Sequence, residues 1–392
     1  MTPRIRVLQV ITAFSNDAPA QSAAVLAKYL DRTMFDVTAV SLRAQPGPPS
    51  MTVLDLEHYG IPHTSMEMGG FLDVAGVVRL IRFMRRWRPD IVHSHAFRAD
   101  LWCGLAGRLT GVPLIVSTIR NHDSQVLRME HSFLVGRLAA LVSRLALALA
   151  DAVVAVSAGV AEYLTGDQHV PASKIHVIRN GFDFERLTGV RANRDTIRAE
   201  LGWHAGDVVV GTLAILKPRK GLTYLIQAAS LVLSAHPRAR FFIAGEGPDR
   251  EALKAEIVRL GLEERVHLLG QRSDPLALLD LADIYVLPSL FEGLPRSLLE
   301  AMAFAKPVVV TDIGGSREVV QHQVSGLIVA PRDATGLAEA ISLLVASPDL
   351  RRDYGEAGRR AVEQQFDARQ TAMAHEVVYN LIGHKEARFE AK

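Results

Sequence analysis

The chain has 392 residues, more than one ordinary core accommodates, and its 49% apolar and 22% charged residues exclude global disorder. A formal net charge of +2 gives no general case for nucleic-acid binding. The single cysteine, Cys103, excludes an internal disulfide framework and a cysteine-based zinc site.

In chain order, residues 1–10 lack the long apolar core of a signal peptide and read as a first β-strand, so the expected location is the cytoplasm. Further strands are predicted near 36–42, 91–95, 114–119, 152–156 and 175–178, with helical stretches such as 21–30 and 74–87 between them. The longest apolar stretch, 145–156, is cut by Asp151 and is too short to span a bilayer. A polar segment at 180–207, holding Gly181, Gly189 and Gly206, reads as the domain boundary. The pattern then repeats, with strands near 208–213, 240–244, 266–268, 284–287, 308–310 and 327–329. Near-continuous apolar strands alternating with helices imply parallel sheets covered on both faces, so the fold class is α/β with two doubly wound Rossmann-like domains. The expected division is 1–185, 186–370 and a terminal helix and tail at 371–392. Ligands of such sheets bind outside the carboxyl ends of the strands, and two facing sheets would put those ends across a shared cleft.

Three constellations carry chemistry. Glu292-Gly293-Leu294-Pro295-Arg296-Ser297-Leu298-Leu299-Glu300 follows the strand Ile284-Tyr285-Val286-Leu287-Pro288-Ser289. Gly293 and Pro295 shape a tight loop, and Pro295 suits a first helical position. The free N–H groups and dipole of that helix, about half a positive charge, form a natural anion site. Glu300 is placed to accept from two ribose hydroxyls and Glu292 to meet sugar hydroxyls, although a lone helical Glu is ordinarily a solvated charge. Lys217-Pro218-Arg219-Lys220-Gly221, after the strand at 208–213, reads either as a pyrophosphate loop or as a solvated basic turn. In Asp90-Ile91-Val92-His93-Ser94-His95, alternation puts His93 and His95 on one side, with His95 nearer the carboxyl end. A hydrogen-bonded structural histidine, a metal pair and a sugar contact all fit that spacing, but no Asp/Glu cluster at a recognisable spacing supports the metal.

Glu-x7-Glu after "D-I-Y-V-L-P-S", followed by "E-A-M-A-F-A-K-P-V-V-V-T-D-I-G-G-S-R-E-V-V", resembles glycosyltransferase family 4 over nearly the whole chain. The likeness continues through Phe242-Ile243-Ala244-Gly245-Glu246-Gly247-Pro248, Leu269-Gly270 and Ser325-Gly326-Leu327-Ile328-Val329. It implies the GT-B fold, a nucleotide-diphosphate sugar donor, no metal or other cofactor, transfer with retention of configuration, and a last helix that crosses back onto the first domain. It also implies that Lys220 binds phosphate and that His95 contacts the donor sugar, with His93 structural. The catalytic set is therefore His95, Lys220 and Glu292. The donor set is Lys220, Arg219, Gly293, Leu294, Pro295, Glu300 and Gly245, with Gln271 and Arg272 expected near the base.

Three departures stand out. The family usually carries an Arg five residues before the phosphate-binding Lys, where this chain has Ile215, and Lys217 or Arg219 is left to supply that charge. A Gly-Gly-x-Glu-like loop is replaced by the glycine-free Ser15-Asn16-Asp17-Ala18-Pro19-Ala20-Gln21-Ser22, so a helix N-terminus near Gln21 is expected to take over, with Ala18 at the acceptor or phosphate. The usual His-Gly after the fifth strand is Arg120-Asn121, which serves a phosphate, an anionic acceptor or a structural ion pair. Asn180-Gly181-Phe182-Asp183 reads as architecture and hinge.

A UDP-sugar is the first expectation for the donor and a GDP-sugar the second. A saccharide or lipid-linked glycan of envelope polysaccharide assembly is expected as acceptor. A nucleotide-sugar epimerase and a non-catalytic nucleotide-sugar-binding protein are the alternatives, the first opposed by Glu-x7-Glu and Lys220. The basic segment 79–88 and the apolar segment 126–150, with Arg128, Arg137 and Arg144, suit peripheral contact with anionic lipid on the inner face of a membrane, or ordinary domain helices with solvated arginines.

Overall fold

The computed structural model describes residues 3–45, 47–70, 73–122, 125, 132–188, 190 and 194–381. The chain divides into two units, one of Met1–Gly181 with Ala368–Lys392 and the other of Phe182–Asp367.

In the first unit the strands β1 (Ile5–Ala13), β2 (Phe35–Arg43), β3 (His63–Ser65), β4 (Ile91–Ser94), β5 (Leu114–Ile119), β6 (Ala152–Ala155) and β7 (Ile175–Val177) form one sheet. Their order is β3-β2-β1-β4-β5-β6-β7, with every pairing parallel. The helices are α1 (Ala18–Tyr29), α2 (Met51–His58), α3 (Val74–Trp87), α4 (Phe97–Thr110), α5 (Phe133–Leu149) and α6 (Ala158–Gly166). Alternate residues of the same strands feed opposite faces. Val7, Val37, Ile91 and Val116 join the core with α1, whereas Leu8, Val40, Val92 and Ile115 join the core with α3 and α4. Burial on both faces is why these strands are largely apolar. The short β3 carries no apolar run and was not predicted.

The second unit repeats the plan with α7 (Arg194–Glu200), β8 (Val208–Leu213), α8 (Leu222–Ala235), β9 (Ala239–Ala244), α9 (Arg250–Arg259), β10 (Val266–Gly270), α10 (Pro275–Leu281), β11 (Ile284–Leu287), α11 (Arg296–Ala303), β12 (Val308–Thr311), α12 (Gly314–Arg317), β13 (Gly326–Val329), α13 (Ala334–Ala346) and α14 (Pro348–Gln365). Its strand order is β10-β9-β8-β11-β12-β13, also parallel throughout. A last helix, α15 (Ala368–Tyr379), packs against α1 of the first unit and adds Ala372, Val378 and Tyr379 to its core.

The boundaries fall at Gly181/Phe182 and Asp367/Ala368 rather than after residues 185 and 370. The polar segment 180–207 is not a linker throughout, because Ile197 on α7 and Trp203 pack with Val209, Phe242 and Leu278 in the second unit. In each sheet the order reverses beside the first strand, so each has a crevice at a strand-order switch, at β1/β4 and at β8/β11. Among the described residues no helix is long and apolar enough to cross a membrane.

Candidate active site

In the second unit the loops after β8 and β11 meet at the switch. The Leu290 N–H donates to the Arg219 carbonyl at 2.8 Å and ties them together. Between them Gly221 holds φ 62°, and a Cβ there would lie 2.1 Å from the Pro288 carbonyl oxygen. The close approach brings Lys220 onto Glu292, whose side chain is 8% exposed and which also accepts from Ser289 Oγ at 2.8 Å. The Arg219 guanidinium lies 3.6 Å from the other oxygen of Glu292. Burial pushes the Glu292 carboxyl up, but Lys220 and Arg219 together outweigh it and hold it below its ordinary value. Two cations thus converge on one carboxylate, and Ile215, 46% exposed, adds no charge to them.

Pro295 is the cap residue of α11 rather than its first helical residue as expected, and the helix begins one position later, at Arg296. Gly293 and Leu294 are buried in the turn that leads to it. Helix α12 backs that turn so closely that a Cβ on Gly315 would stand 2.5 Å from the Gly293 carbonyl oxygen. On α11 the Arg296 Nε donates to Glu300 at 2.8 Å, and Tyr285 donates to Ser297 at 2.7 Å. At the ends of β9 and β10 the Gly245 N–H donates to the Gly270 carbonyl at 2.8 Å, and Gln271 is exposed beyond it. Arg272, expected near a base, donates to Asp274 at 2.8 Å and to Glu200, and these hydrogen bonds to carboxylates raise its pKa. A base there would have to compete with two carboxylates for the guanidinium.

In the first unit His93 and His95 lie at the carboxyl end of β4, with ring centroids 4.1 Å apart. His93 contacts Tyr379 Oη at 2.7 Å and Thr118 Oγ1 at 2.6 Å, a fully satisfied interior position. His95 is 1% exposed, bonds through Nε2 to Gln9 Oε1, and has Arg120 3.1 Å from Nδ1. Because Arg120 can only donate, Nδ1 accepts and Nε2 carries the proton. Arg120 also donates to Asn180 Oδ1 at 2.6 Å. Gln9 donates to Tyr379 Oη at 2.9 Å, and His375 on α15 lies 5.4 Å from the His93 ring. A cavity of about 20 Å³ beside Arg120, Asn180 and His375 has room for one water.

The helix after β1 begins at Ala18 rather than near Gln21, and the Asp17 carboxylate caps it by accepting from the Ala20 N–H at 3.1 Å. That cap puts negative charge where an incoming phosphate would need positive charge, so this helix end is not the expected replacement for the glycine loop. The loop itself is pinned, with Asn16 Oδ1 accepting from the Met51 N–H at 2.8 Å and the Ser15 carbonyl accepting from Thr52 Oγ1 at 2.6 Å. Ala18 is exposed at the helix start, and Asn121 lies next to Arg120 at the end of β5.

Burial above all, with the Arg120 charge adding to it, holds His93, His95 and His375 below the ordinary histidine pKa; at His375 the bond to the Thr371 carbonyl opposes burial only in part and leaves it at about 4. The folded protein keeps these rings neutral, whereas the unfolded chain takes up their protons below about pH 6.5. The stability they contribute is therefore complete above pH 6.5 and lost as pH falls toward 4. His375 alone accounts for on the order of 3 kcal/mol of that loss. Thermal melts from pH 7.5 to 4.5 are expected to show the fall, and His375→Gln is expected to flatten it. An equal slope in the variant would remove His375 from the account.

Sequence reading overlooked Gln9, His375 and Tyr379, since nothing local in the sequence links positions as much as 370 residues apart. It also overlooked Ser289 and Arg296 as partners of the two glutamates, although both lie inside the motif that was read.

The family described as "Glycosyl transferases group 1" matches residues 193–361, and "Glycosyltransferase Family 4" matches residues 20–186. The alpha-maltose-1-phosphate synthase of Mycolicibacterium smegmatis is 31% identical over 70% of this chain and 75% of that protein. The UDP-Gal:alpha-D-GlcNAc-diphosphoundecaprenol alpha-1,3-galactosyltransferase of Escherichia coli is 25% identical over 80% of each chain. The solved structure of Anabaena HepE in complex with UDP and glucose superposes with a TM-score of 0.80 at 23% identity, covering 96% of this chain and 99% of the other. The fold is thus that of the GT-B glycosyltransferases. With both halves matched in sequence and a relative above 30% identity, this chain belongs to glycosyltransferase family 4 and is a glycosyltransferase.

Proposed function

We propose that this enzyme transfers a sugar, with retention and without a metal, from a nucleoside-diphosphate sugar to a glycan or lipid-linked acceptor. A UDP-sugar is put ahead of a GDP-sugar, and the names of relatives support this order, the Escherichia coli one being a UDP-Gal transferase acting on a diphosphoundecaprenol-linked sugar. The observation that carries the reading is the convergence of Lys220 and Arg219 at the β8/β11 switch, beside the turn into α11. As the bond from the sugar's anomeric carbon to the leaving phosphate oxygen breaks, charge grows on the diphosphate. Lys220, Arg219 and the first N–H groups of α11 stabilise it in place, without reorganisation. The acceptor oxygen bonds to the anomeric carbon from the face the diphosphate leaves, and its proton passes to the departing phosphate oxygen. No enzymic nucleophile is needed.

In this reading Glu292 positions the two cations and meets sugar hydroxyls. Gly293, Leu294 and Pro295 shape the phosphate turn, Gly245 and Gln271 lie toward the nucleoside, and Glu300, oriented by Arg296, accepts from the ribose. His95, held by Gln9 and Arg120, is assigned to the donor sugar, and Arg120 with Asn121 to the phosphate or acceptor side.

Calorimetric titration of UDP, GDP and ADP in the presence of a chelator tests the donor site. One nucleotide is expected to bind wild type, and Glu300→Ala to weaken it by about 10- to 100-fold, the worth of hydrogen bonds to a charged group. Binding indifferent to Glu300, or no binding of any of the three, would overturn the assignment.

A further inference from the structure

One face of the first unit is built in a way the transfer reaction does not explain. Helices α3, α4 and α5 pack side by side, α3 on α4 and α4 on α5. On α5 the residues turned inward are small, namely Gly136, Ala139, Ser143 and Ala146, with Leu147. Its large residues point out: Leu134, Leu138, Leu141 and Leu145 are 76%, 64%, 56% and 56% exposed. Their spacing of four, three and four puts them in one stripe along the helix. Single exposed leucines are ordinary, but a contiguous stripe that leaves bulk in solvent and small residues in the core is not.

The charges point the same way. The three helices carry eight arginines, at positions 79, 82, 85, 86, 98, 108, 137 and 144, and a single carboxylate, Asp100. Asp100 is 3% exposed and accepts from Ser94 Oγ at 2.6 Å, so it contributes nothing to the surface. The acidic groups at the helix ends are matched as well, Asp73 by Arg79 and Asp151 by Arg108. Arg82, Arg85, Arg86, Arg98 and Arg137 all occupy exposed positions.

We propose that this face, the leucine stripe of α5 with the arginines of α3 and α4, docks on an anionic lipid bilayer. A bilayer supplies apolar chains for the stripe and a sheet of phosphate charge for the arginines together. A second copy of this chain fits worse, since a two-fold contact sets the same patch against itself and would bring the arginines of these three helices together with no exposed carboxylate on them. The surface deepens the lipid-linked acceptor reading, but vesicle binding needs neither donor nor acceptor and is tested without them.

The experiment is co-sedimentation of the full chain with vesicles of phosphatidylcholine, alone or mixed with phosphatidylglycerol. Wild type is expected to pellet with the anionic vesicles at low salt and to be released at about 0.5 M salt, where screening shortens the reach of the charges. Leu138→Ser with Leu141→Ser, and separately Arg82→Gln with Arg85→Gln and Arg86→Gln, are each expected to reduce binding by about tenfold. Nucleotide titration of both variants checks their fold, since none of these residues belongs to the donor site. If wild type stays in the supernatant with anionic vesicles at low salt, or both variants pellet as wild type does, the proposal falls. It falls too if sedimentation velocity shows a dimer that the leucine variant abolishes, which would assign the stripe to a second copy. Loss of nucleotide binding by wild type, with vesicle binding intact, would instead overturn the donor reading and leave this one standing.

Discussion

Lys220→Ala is expected to lower the turnover of sugar transfer by about 10²- to 10³-fold, the usual cost of removing one preorganised group from the site of growing negative charge. The loss should fall on kcat more than on the KM for donor, because the charge Lys220 meets is largest as the diphosphate departs. The same change has a structural cost, since Glu292 is 8% exposed and loses its nearest cation. Arg219 at 3.6 Å and Ser289 at 2.8 Å remain to it, so the destabilisation expected at neutral pH is about 1–3 kcal/mol, below that of a wholly orphaned buried charge. The lowered carboxyl pKa of Glu292 contributes stability above its unfolded value, lost as pH falls through its folded value, and without Lys220 that contribution shrinks. A double variant, Lys220→Ala with Glu292→Gln, separates the two effects. It should regain much of the melting temperature and none of the rate. Recovery of both would mean that Lys220 serves only to neutralise Glu292, and the leaving-group role would be lost.

The motifs around Lys220 and Glu292 were legible because each lies within one loop and its strand. Lys220 and Glu292 are 72 residues apart, yet each follows an apolar strand that a period-two or continuous apolar pattern reveals, and a parallel sheet sends all such loops to one edge. What reading could not give was the strand order. Only with β11 beside β8 do the two loops meet, and neighbouring strands in the sheet need not be neighbours in sequence. The first unit shows the opposite case. His95 was read correctly onto the end of its strand, but its setting depends on Gln9 from β1 and, through it, on Tyr379 from a helix that returns from the far end of the chain. Those partners carry no motif, because a glutamine in a strand and a tyrosine in a helix are ordinary residues until the fold pairs them. The setting of Arg272 was missed for a related reason. Its carboxylate partner Asp274 was two positions away in plain sight, but Glu200 comes from α7, inside the segment read as the domain boundary. The polar composition of that segment hid the two apolar residues, Ile197 and Trp203, that seat it.

Gly221→Ala is expected to cost about 3–5 kcal/mol and to abolish nucleotide binding, although it adds one methyl group. At φ 62° the added Cβ incurs about 1–2 kcal/mol of left-handed strain. It also meets the Pro288 carbonyl oxygen at 2.1 Å, and neither atom is the end of a flexible side chain that can swing away. Pro288 follows β11, whose register is set by pairing with β8 and β12, and Gly221 opens α8, which is buried through Leu222, Leu225 and Ile226. Relief therefore has to come from separating the two loops, which breaks the bond from Leu290 to Arg219 and withdraws Lys220 from Glu292. Gly111 provides the control. It holds φ 73° at the end of α4, but a Cβ there meets nothing within 4 Å, so Gly111→Ala should show the strain alone, about 1–2 kcal/mol, with nucleotide binding unchanged. Chemical denaturation of both variants, read alongside calorimetric titration, decides the matter. Equal losses of stability would show that backbone strain accounts for Gly221 entirely, and undiminished nucleotide affinity in Gly221→Ala would show that the close approach of the two loops is not what holds Lys220 in place.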